Sequence, residues 1–490
     1  MIEETYELLN INKPKWNNMR LTTILFFLTY FSLVPAQAQL SEIQSKKIDS
    51  LFNTWAEGNH PGGTIGIMQK GEVIYSKAFG MASLEYQVPN TTETLFNLAS
   101  VSKQLTAMGI IVLQERGLLS IDDDIRKYLP DLPDFGHTIT IRHMLHHTSG
   151  MRSLHAMLRL AGWRSDDSRT NEDLYRFMLK QKDLNFIPGD EYLYCNTGYI
   201  LMAYIIEKVT NEKFPQWMEN NVFEPLGMSN TYVEDRYDRV VPNNATSYYN
   251  RKDGFFRAVE YWGYVGSGNV HSTTADLLTW LQNFSTPSAD WKSAFETLKT
   301  TDQLNDGSEN NYAFGVNVGE YNGYERISHG GSIGGFRAYA SHYPEEELSI
   351  AVLTNFSTAN SGGIEKKLAD ILLKNKSNPI IFSEVKDQNG NNTEAENYIE
   401  EDLSRISLSE YTGRFYSPEL ETNLDITLKD EKLIAHHVRH GDFPVELIKK
   451  DALDIQRFAS IEVVRDSEDI ITGIKVSNGR ARGVWFEKQK

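Results

Sequence analysis

At 490 residues the chain exceeds one ordinary domain, and its 40% hydrophobic content can build a large core, so two folded domains are expected. Its 49 Lys and Arg against 66 Asp and Glu leave a formal charge of -17, which gives no electrostatic footprint for nucleic acid or an anionic membrane. The single cysteine, Cys195, excludes an intramolecular disulfide; with no histidine near it in sequence, it reads as a small buried residue rather than a nucleophile.

In chain order, residues 21–34 form an uncharged apolar run preceded by Arg20 and followed by Ala36-Gln37-Ala38, the pattern of a cleaved secretory leader. The run is short for a bilayer span, so no stable membrane anchor is expected. Glu3, Glu4 and Glu7 do not suit a basic leader whereas Met19-Arg20 does, so Met19 is the expected start, with residues 1–38 an N-terminal extension and signal peptide. Removing them deletes three charges of each sign and leaves an acidic protein, expected to be secreted or periplasmic.

Residues 64–68 and 73–78 are short strand-like runs joined across Lys70-Gly71, a hairpin signal. Residues 96–103 read FNLASVSK and place Ser100 and Lys103 one turn apart, at the mouth of a helix expected over 101–116 and stopped by Gly117. That helix is apolar almost all round from Met108 to Leu113, so it should be central and buried. Residues 151–167, with Met157, Arg159, Trp163 and Arg164, are a candidate lid, and the aromatic-rich 248–264 a second. Helical spacing fills 141–223, as in 199–209, and strands return at 334–343 and 350–354, followed by a helix over 364–374. Early and late strands bracketing a helical middle predict an α+β domain over residues 39–384, an antiparallel sheet flanked by helices with a helical subdomain and the site at their junction. Residues 385–406 are acidic and polar and read as a linker. Beyond them, short β-like runs at 411–416, 424–428, 432–435, 452–457, 461–464, 470–476 and 484–486 predict a C-terminal antiparallel β-barrel-like domain over 407–490. His436, His437 and His440 lack the partner spacing of a metal site and read as exposed strand-end histidines.

Ser-x-x-Lys alone recurs by chance about once in a chain this long. Here Ser100-x-x-Lys103 is followed by Tyr194-x-Asn196 and by His329-Gly330-Gly331, inside longer stretches such as ITIRHMLHHTSGM, IPGDEYLYCNTGY, GSGNVHSTTADLL and HGGSIGGFRAYA. In these residues the chain resembles the serine β-lactamase and penicillin-binding protein superfamily, and within it the class C β-lactamase, D,D-carboxypeptidase, D-aminopeptidase and esterase branch. The resemblance implies the β-lactamase/transpeptidase-like fold and a catalytic group of Ser100 as nucleophile with Lys103 and Tyr194 as proton carriers. It further implies substrate binding by Asn196, His329 and Gly331, and a second oxyanion N–H from Ser332 beside that of Ser100. Which of Tyr194 and Lys103 takes the first proton stays open. His147 matches the family as a structural turn residue. His329 departs from the β-lactamase lysine, and an imidazole of pKa about 6.5 would hold only part of that positive charge near neutral pH.

The expected function is an exported serine hydrolase that cleaves an amide or ester through an acyl-enzyme on Ser100, with no metal or organic cofactor and a small-molecule or peptide substrate that cell wall could supply. The alternatives are a β-lactamase or D,D-carboxypeptidase working by the same chemistry, and a catalytically silent binding or scaffold member.

Overall fold

The computed structural model describes residues 40–376 and 406–490; the expected leader and nearly all of the expected linker lie outside the described residues. A six-stranded antiparallel sheet organises the larger body, built from β1 (Gly63–Gln69), β2 (Glu72–Phe79), β3 (Asn317–Tyr321), β4 (Tyr324–Ile333), β5 (Phe336–Tyr343) and β6 (Leu348–Thr354). Its order is β3-β4-β5-β6-β1-β2, so the N-terminal hairpin is added beside the last strand. Lys70 and Gly71 both take positive φ (51° and 80°), the turn that matches strand twist in a two-residue hairpin.

Side-chain alternation divides the sheet between two cores. Ile65, Ile67, Ile350 and Val352 point to one face and pack with Ile48 of α1 (Glu42–Ser50). Met68, Ala351 and Leu353 point to the other, where they join the main core with α2 (Ser102–Glu115). Every residue of α2 from Ser102 to Leu113 is buried, as its all-round apolar sequence requires. It ends where Gly117 takes φ 69° and Leu118 N–H donates to the Leu113 carbonyl at 3.0 Å. The helical layer continues through α3 (Leu154–Leu160), α4 (Asn196–Thr210) and α5 (Thr274–Gln282), whose Leu278 lies against Gly66 of β1. Helix α6 (Ser361–Leu372) completes the face occupied by α1, with Leu368 and Ala369 in the core there.

The last strands close into an eight-stranded antiparallel barrel: β7 (Gly413–Ser417), β8 (Thr422–Lys429), β9 (Lys432–His437), β10 (Gly441–Lys449), β11 (Ala452–Ile455), β12 (Ala459–Arg465), β13 (Ile471–Asn478) and β14 (Ala481–Lys488). The strand missing from the sequence reading is β10. It carries Pro444, which ordinarily argues against a ladder strand, and its core-facing Phe443, Val445 and Leu447 are only half-buried against the barrel interior.

The barrel is docked on α3. Met157 and Leu160 are buried in its core cluster, so residues 154–160 are packed under the barrel rather than forming the lid expected for 151–167. Arg152 and Glu419, each 2% exposed, pair at 2.9 Å across the junction, and Arg439 reaches Asp167 at 2.7 Å. His437, expected exposed, is buried against Gly162, while His440 contacts the Arg159 carbonyl at 3.1 Å and His436 pairs with Asp442. His437 and His440 thus serve the junction, while His436 stays exposed on the barrel. No helix among the described residues is long and apolar enough to cross a membrane.

Candidate active site

Ser100 lies in a single 3-10 turn, Ala99–Val101, directly before α2. Ala99 holds φ 49°, a left-handed conformation that costs free energy for any residue with a Cβ. The surroundings fix it. Ala99 N–H donates to Asn97 Oδ1 (2.8 Å), Asn97 Nδ2 donates to Asn269 Oδ1 (2.9 Å), and Asn269 Nδ2 donates to the carbonyls of Trp262 (3.1 Å) and Tyr264 (2.9 Å). Leu98 N–H donates to the Val270 carbonyl at 2.8 Å, and Ser102 Oγ accepts from Val270 N–H at 3.1 Å. Sequence reasoning missed Asn97 and Asn269; the available signal was an amide three residues before the serine.

Strand β4 reaches this turn with an open edge. Its pairing with β3 ends at Asn317 opposite Ser328, so His329 to Ile333 have a strand partner only on the β5 side. A Cβ on Gly331 would lie 2.3 Å from the Leu98 carbonyl oxygen and 3.2 Å from Ser100 N, so glycine there permits contact with the turn that carries Ser100. Ser332 is the next residue on this edge, opposite Arg337 of β5.

Lys103 is fully buried. Its Nζ lies 3.2 Å from Ser100 Oγ and 2.6 Å from the Ser267 carbonyl. Burial holds the Lys103 ammonium well below its usual range; the nearby Arg480 charge adds to this and Cys195 opposes it. Tyr194, from the segment leading into α4, has its ring centroid 4.9 Å from Lys103 Nζ. Burial raises its phenol above the ordinary value, against smaller downward pulls from the neighbouring Ser100 hydroxyl and Arg480. Its hydroxyl is enclosed without a geometric hydrogen-bond partner. Asn196 opens α4 behind Cys195, whose thiol donates to the Met151 carbonyl at 3.3 Å and whose pKa burial raises, in keeping with a packed residue rather than a nucleophile.

His147 explains how the tyrosine segment is held. Its φ is 60°, its carbonyl accepts from Leu193 N–H at 2.9 Å, and its Nδ1 accepts from Cys195 N–H at 3.1 Å. Its ring packs 4.2 Å from Tyr194 and 4.4 Å from Tyr312. His329 is buried beside this cluster. Its Nδ1 donates to the Gly330 carbonyl (2.6 Å), which leaves Nε2 to accept from the Tyr312 hydroxyl (3.0 Å), a neutral tautomer fixed at both ends. Burial, and then Lys103, bring its pKa down to about 3. The partial positive charge expected of His329 near neutral pH is therefore not favoured, because burial strips water from the imidazolium and positive charge on Lys103 would repel it.

Ser100 opens onto a cavity of about 370 Å³ whose lining includes Asn196, Ser267, Ser332, Trp262 and the guanidinium-bearing Arg159 and Arg169, with no carboxylate. Ser100, Asn196 and Ser332 line this opening, while the other four lie behind it: Lys103 and Gly331 against the Ser100 turn, Tyr194 beside Lys103, and His329 beside Tyr194. Among the described residues, no group of three His, Cys, Asp or Glu is placed to hold a metal ion.

Residues 48–373 match the Beta-lactamase family, and the chain belongs to that family of serine hydrolases. It is similar to penicillin-binding protein 4* of Bacillus subtilis (strain 168), 31% identical over 339 residues that cover 64% of this chain and 73% of that protein. It is also similar to a D-aminopeptidase of Cereibacter sphaeroides (strain ATCC 17029 / ATH 2.4.9), 27% identical over 67% of this chain and 62% of that protein, so it spans about three fifths of that relative's length. The octameric penicillin-binding protein homologue from Pyrococcus abyssi shares the fold with a TM-score of 0.60 at 24% identity, over 91% of this chain and all of that one.

Proposed function

We propose that this protein is an exported serine hydrolase that cleaves an amide or ester bond through an acyl-enzyme on Ser100. The observation that carries the reading is a buried Lys103 amine 3.2 Å from the hydroxyl of a serine at the floor of an open cavity. Burial holds the Lys103 ammonium below its usual range, which favours the neutral amine; in that form Lys103 donates to the Ser267 carbonyl and offers its lone pair to the Ser100 proton. Lys103 is thus the first general base, and Tyr194, kept protonated by burial, is the acid that gives its proton to the departing group and regains one from Lys103. Water then reverses these transfers and frees the enzyme. The Ser100 and Ser332 N–H groups receive the oxyanion, Asn196 holds the acyl amide in the cavity, and His329 acts as a neutral group that fixes Tyr312 at the end of the site.

On the acyl side the cavity wall includes two arginines, Arg159 and Arg169, and no carboxylate, with the Arg159 guanidinium turned to the Arg457 carbonyl of the barrel. A carboxylate behind that wall, Glu260, is aimed at Gly334, and burial pushes its pKa up to about 7 against the pull of Arg337. A free α-ammonium would meet mostly like charge there, which favours acyl groups whose amine is blocked over the free amino termini an aminopeptidase needs. The test is hydrolysis of a panel of N-acylated and free peptides, short esters and a chromogenic cephalosporin. Turnover of N-blocked peptides or esters that is lost in Ser100→Ala is expected. Binding of these compounds without turnover by the wild type would favour the scaffold reading.

A further inference from the structure

The barrel's last hairpin enters the site. Arg480 sits in the turn between β13 and β14, and its guanidinium carbon lies 4.7 Å from the centroid of the Tyr194 ring. The backbone around it is clamped to the larger body on both sides. Its carbonyl accepts from Ser153 N–H (2.9 Å) and Asn185 Nδ2 (3.2 Å), and Arg482 N–H donates to Asn185 Oδ1 (2.8 Å). Arg152 donates to the carbonyls of Arg482 (3.0 Å) and Gly483 (3.2 Å). Arg482 is neutralised by Glu191 at 2.9 Å. Arg480 has no carboxylate partner among the described residues, and its side chain is exposed.

Arg480 does not line the cavity assigned above to the acyl group. It stands over the ring of Tyr194, the group assigned above to protonate the leaving group, and near the exposed Tyr192. The position at which the wider superfamily carries lysine holds neutral His329 here. A guanidinium that stays charged at all working pH values, faces solvent and is fixed by its backbone suits bidentate capture of a carboxylate. We infer that Arg480, supplied by the barrel, is a specificity-determining residue that anchors a carboxylate on the leaving group, so that the preferred substrate is an N-blocked peptide cut next to a free C-terminal carboxylate. This rests on the acyl-enzyme reading of Ser100.

The test uses the full chain and a matched pair, an N-acetyl dipeptide with a C-terminal carboxylate and the same dipeptide as its carboxamide. The readout is the ratio of their kcat/KM values from about pH 5.5 to 8, a range in which guanidinium stays charged. In the wild type the ratio should favour the carboxylate and stay flat with pH. It should fall at least about tenfold in Arg480→Ala, the scale of one charge-assisted bond, and be partly kept in Arg480→Lys. If Arg480 only tunes Lys103 electrostatically, both substrates change together, and an unchanged ratio overturns the inference. Should neither dipeptide turn over, the same pair is tested as protectants of Ser100 against fluorophosphonate labelling. Protection by the carboxylate that disappears in Arg480→Ala supports the anchor, and equal protection in both proteins overturns it. Failure of Ser100 to label in the wild type would instead remove the hydrolase reading, and the anchor with it.

Discussion

Replacing Glu419 by alanine tests whether the barrel is a structural part of the site. The perturbation leaves Arg152, 2% exposed, with a charge that its remaining partners satisfy only in part: two carbonyls, at 3.0 and 3.2 Å, and the exposed Asp183 at 3.8 Å. The lost contacts are the paired bonds from Arg152 to Glu419 (2.9 and 3.2 Å) and the bond from Lys182 N–H (3.2 Å). Removing one partner of a buried pair costs about 3–5 kcal/mol, because the surviving charge stays desolvated. Glu419→Gln, whose amide oxygen can still accept, should cost about 1.5–3 kcal/mol, the worth of a bond to a charged group. Exchanging both members for Met and Leu should return stability close to the wild type. Urea unfolding of the full chain measures the cost, and the kcat/KM ratio of the dipeptide pair should fall with it, since Arg152 also holds the hairpin that carries Arg480. A loss below about 1 kcal/mol in Glu419→Ala would refute the reasoning, because the pair would then be behaving as a solvated surface bridge.

Lys103→Ala and Tyr194→Phe should each lower turnover at least about a hundredfold, the scale of lost positioned proton transfer, with normal rates in both contradicting the relay. The rate of Ser100 acylation should rise with pH through a pKa below the ordinary lysine value and fall away below it, because only the unprotonated Lys103 amine accepts the serine proton; a rate independent of pH would argue against it. Gly331→Ala should lower acylation more than tenfold, since a Cβ 2.3 Å from the Leu98 carbonyl must push β4 off the nucleophile turn, and activity like the wild type would show that the edge gives way freely. Stability should fall as pH drops from about 6.5 toward 4, because His271 and His329 (pKa down to about 3) and His342 (about 4) are buried neutral while the unfolded chain takes up their protons; a thermal midpoint that holds or rises from pH 7 to 5 contradicts this.

Local chemistry was legible where a residue's role lies in its own neighbourhood. The Lys70-Gly71 turn, the all-apolar α2 with its Gly117 stop and the alternating barrel strands each announce themselves within a few positions. Ser100 and Lys103 are one turn apart, so their meeting is a property of one helix end. Strand β10 escaped because Pro444 interrupts its alternating Phe443, Val445 and Leu447, and residues 154–160 looked like a lid because the partner that buries Met157 and Leu160 lies some 300 residues onward in the barrel. The charge of His329 was misread for a related reason: its pKa is set by burial, by Tyr312 and by Lys103, none of which is adjacent in sequence. Asn97 offered only its place three residues before Ser100, its partner Asn269 lies 172 positions away, and Arg480 acts from the barrel, so their roles emerge only in the fold.

The central claim is that Ser100 is the nucleophile, activated by a neutral Lys103. Treat the full chain with a fluorophosphonate near pH 8 and map the adduct by peptide mass. The account predicts one label, on Ser100, absent in Ser100→Ala and slowed at least about a hundredfold in Lys103→Ala. A label on another serine, or an undiminished rate in Lys103→Ala, would contradict it.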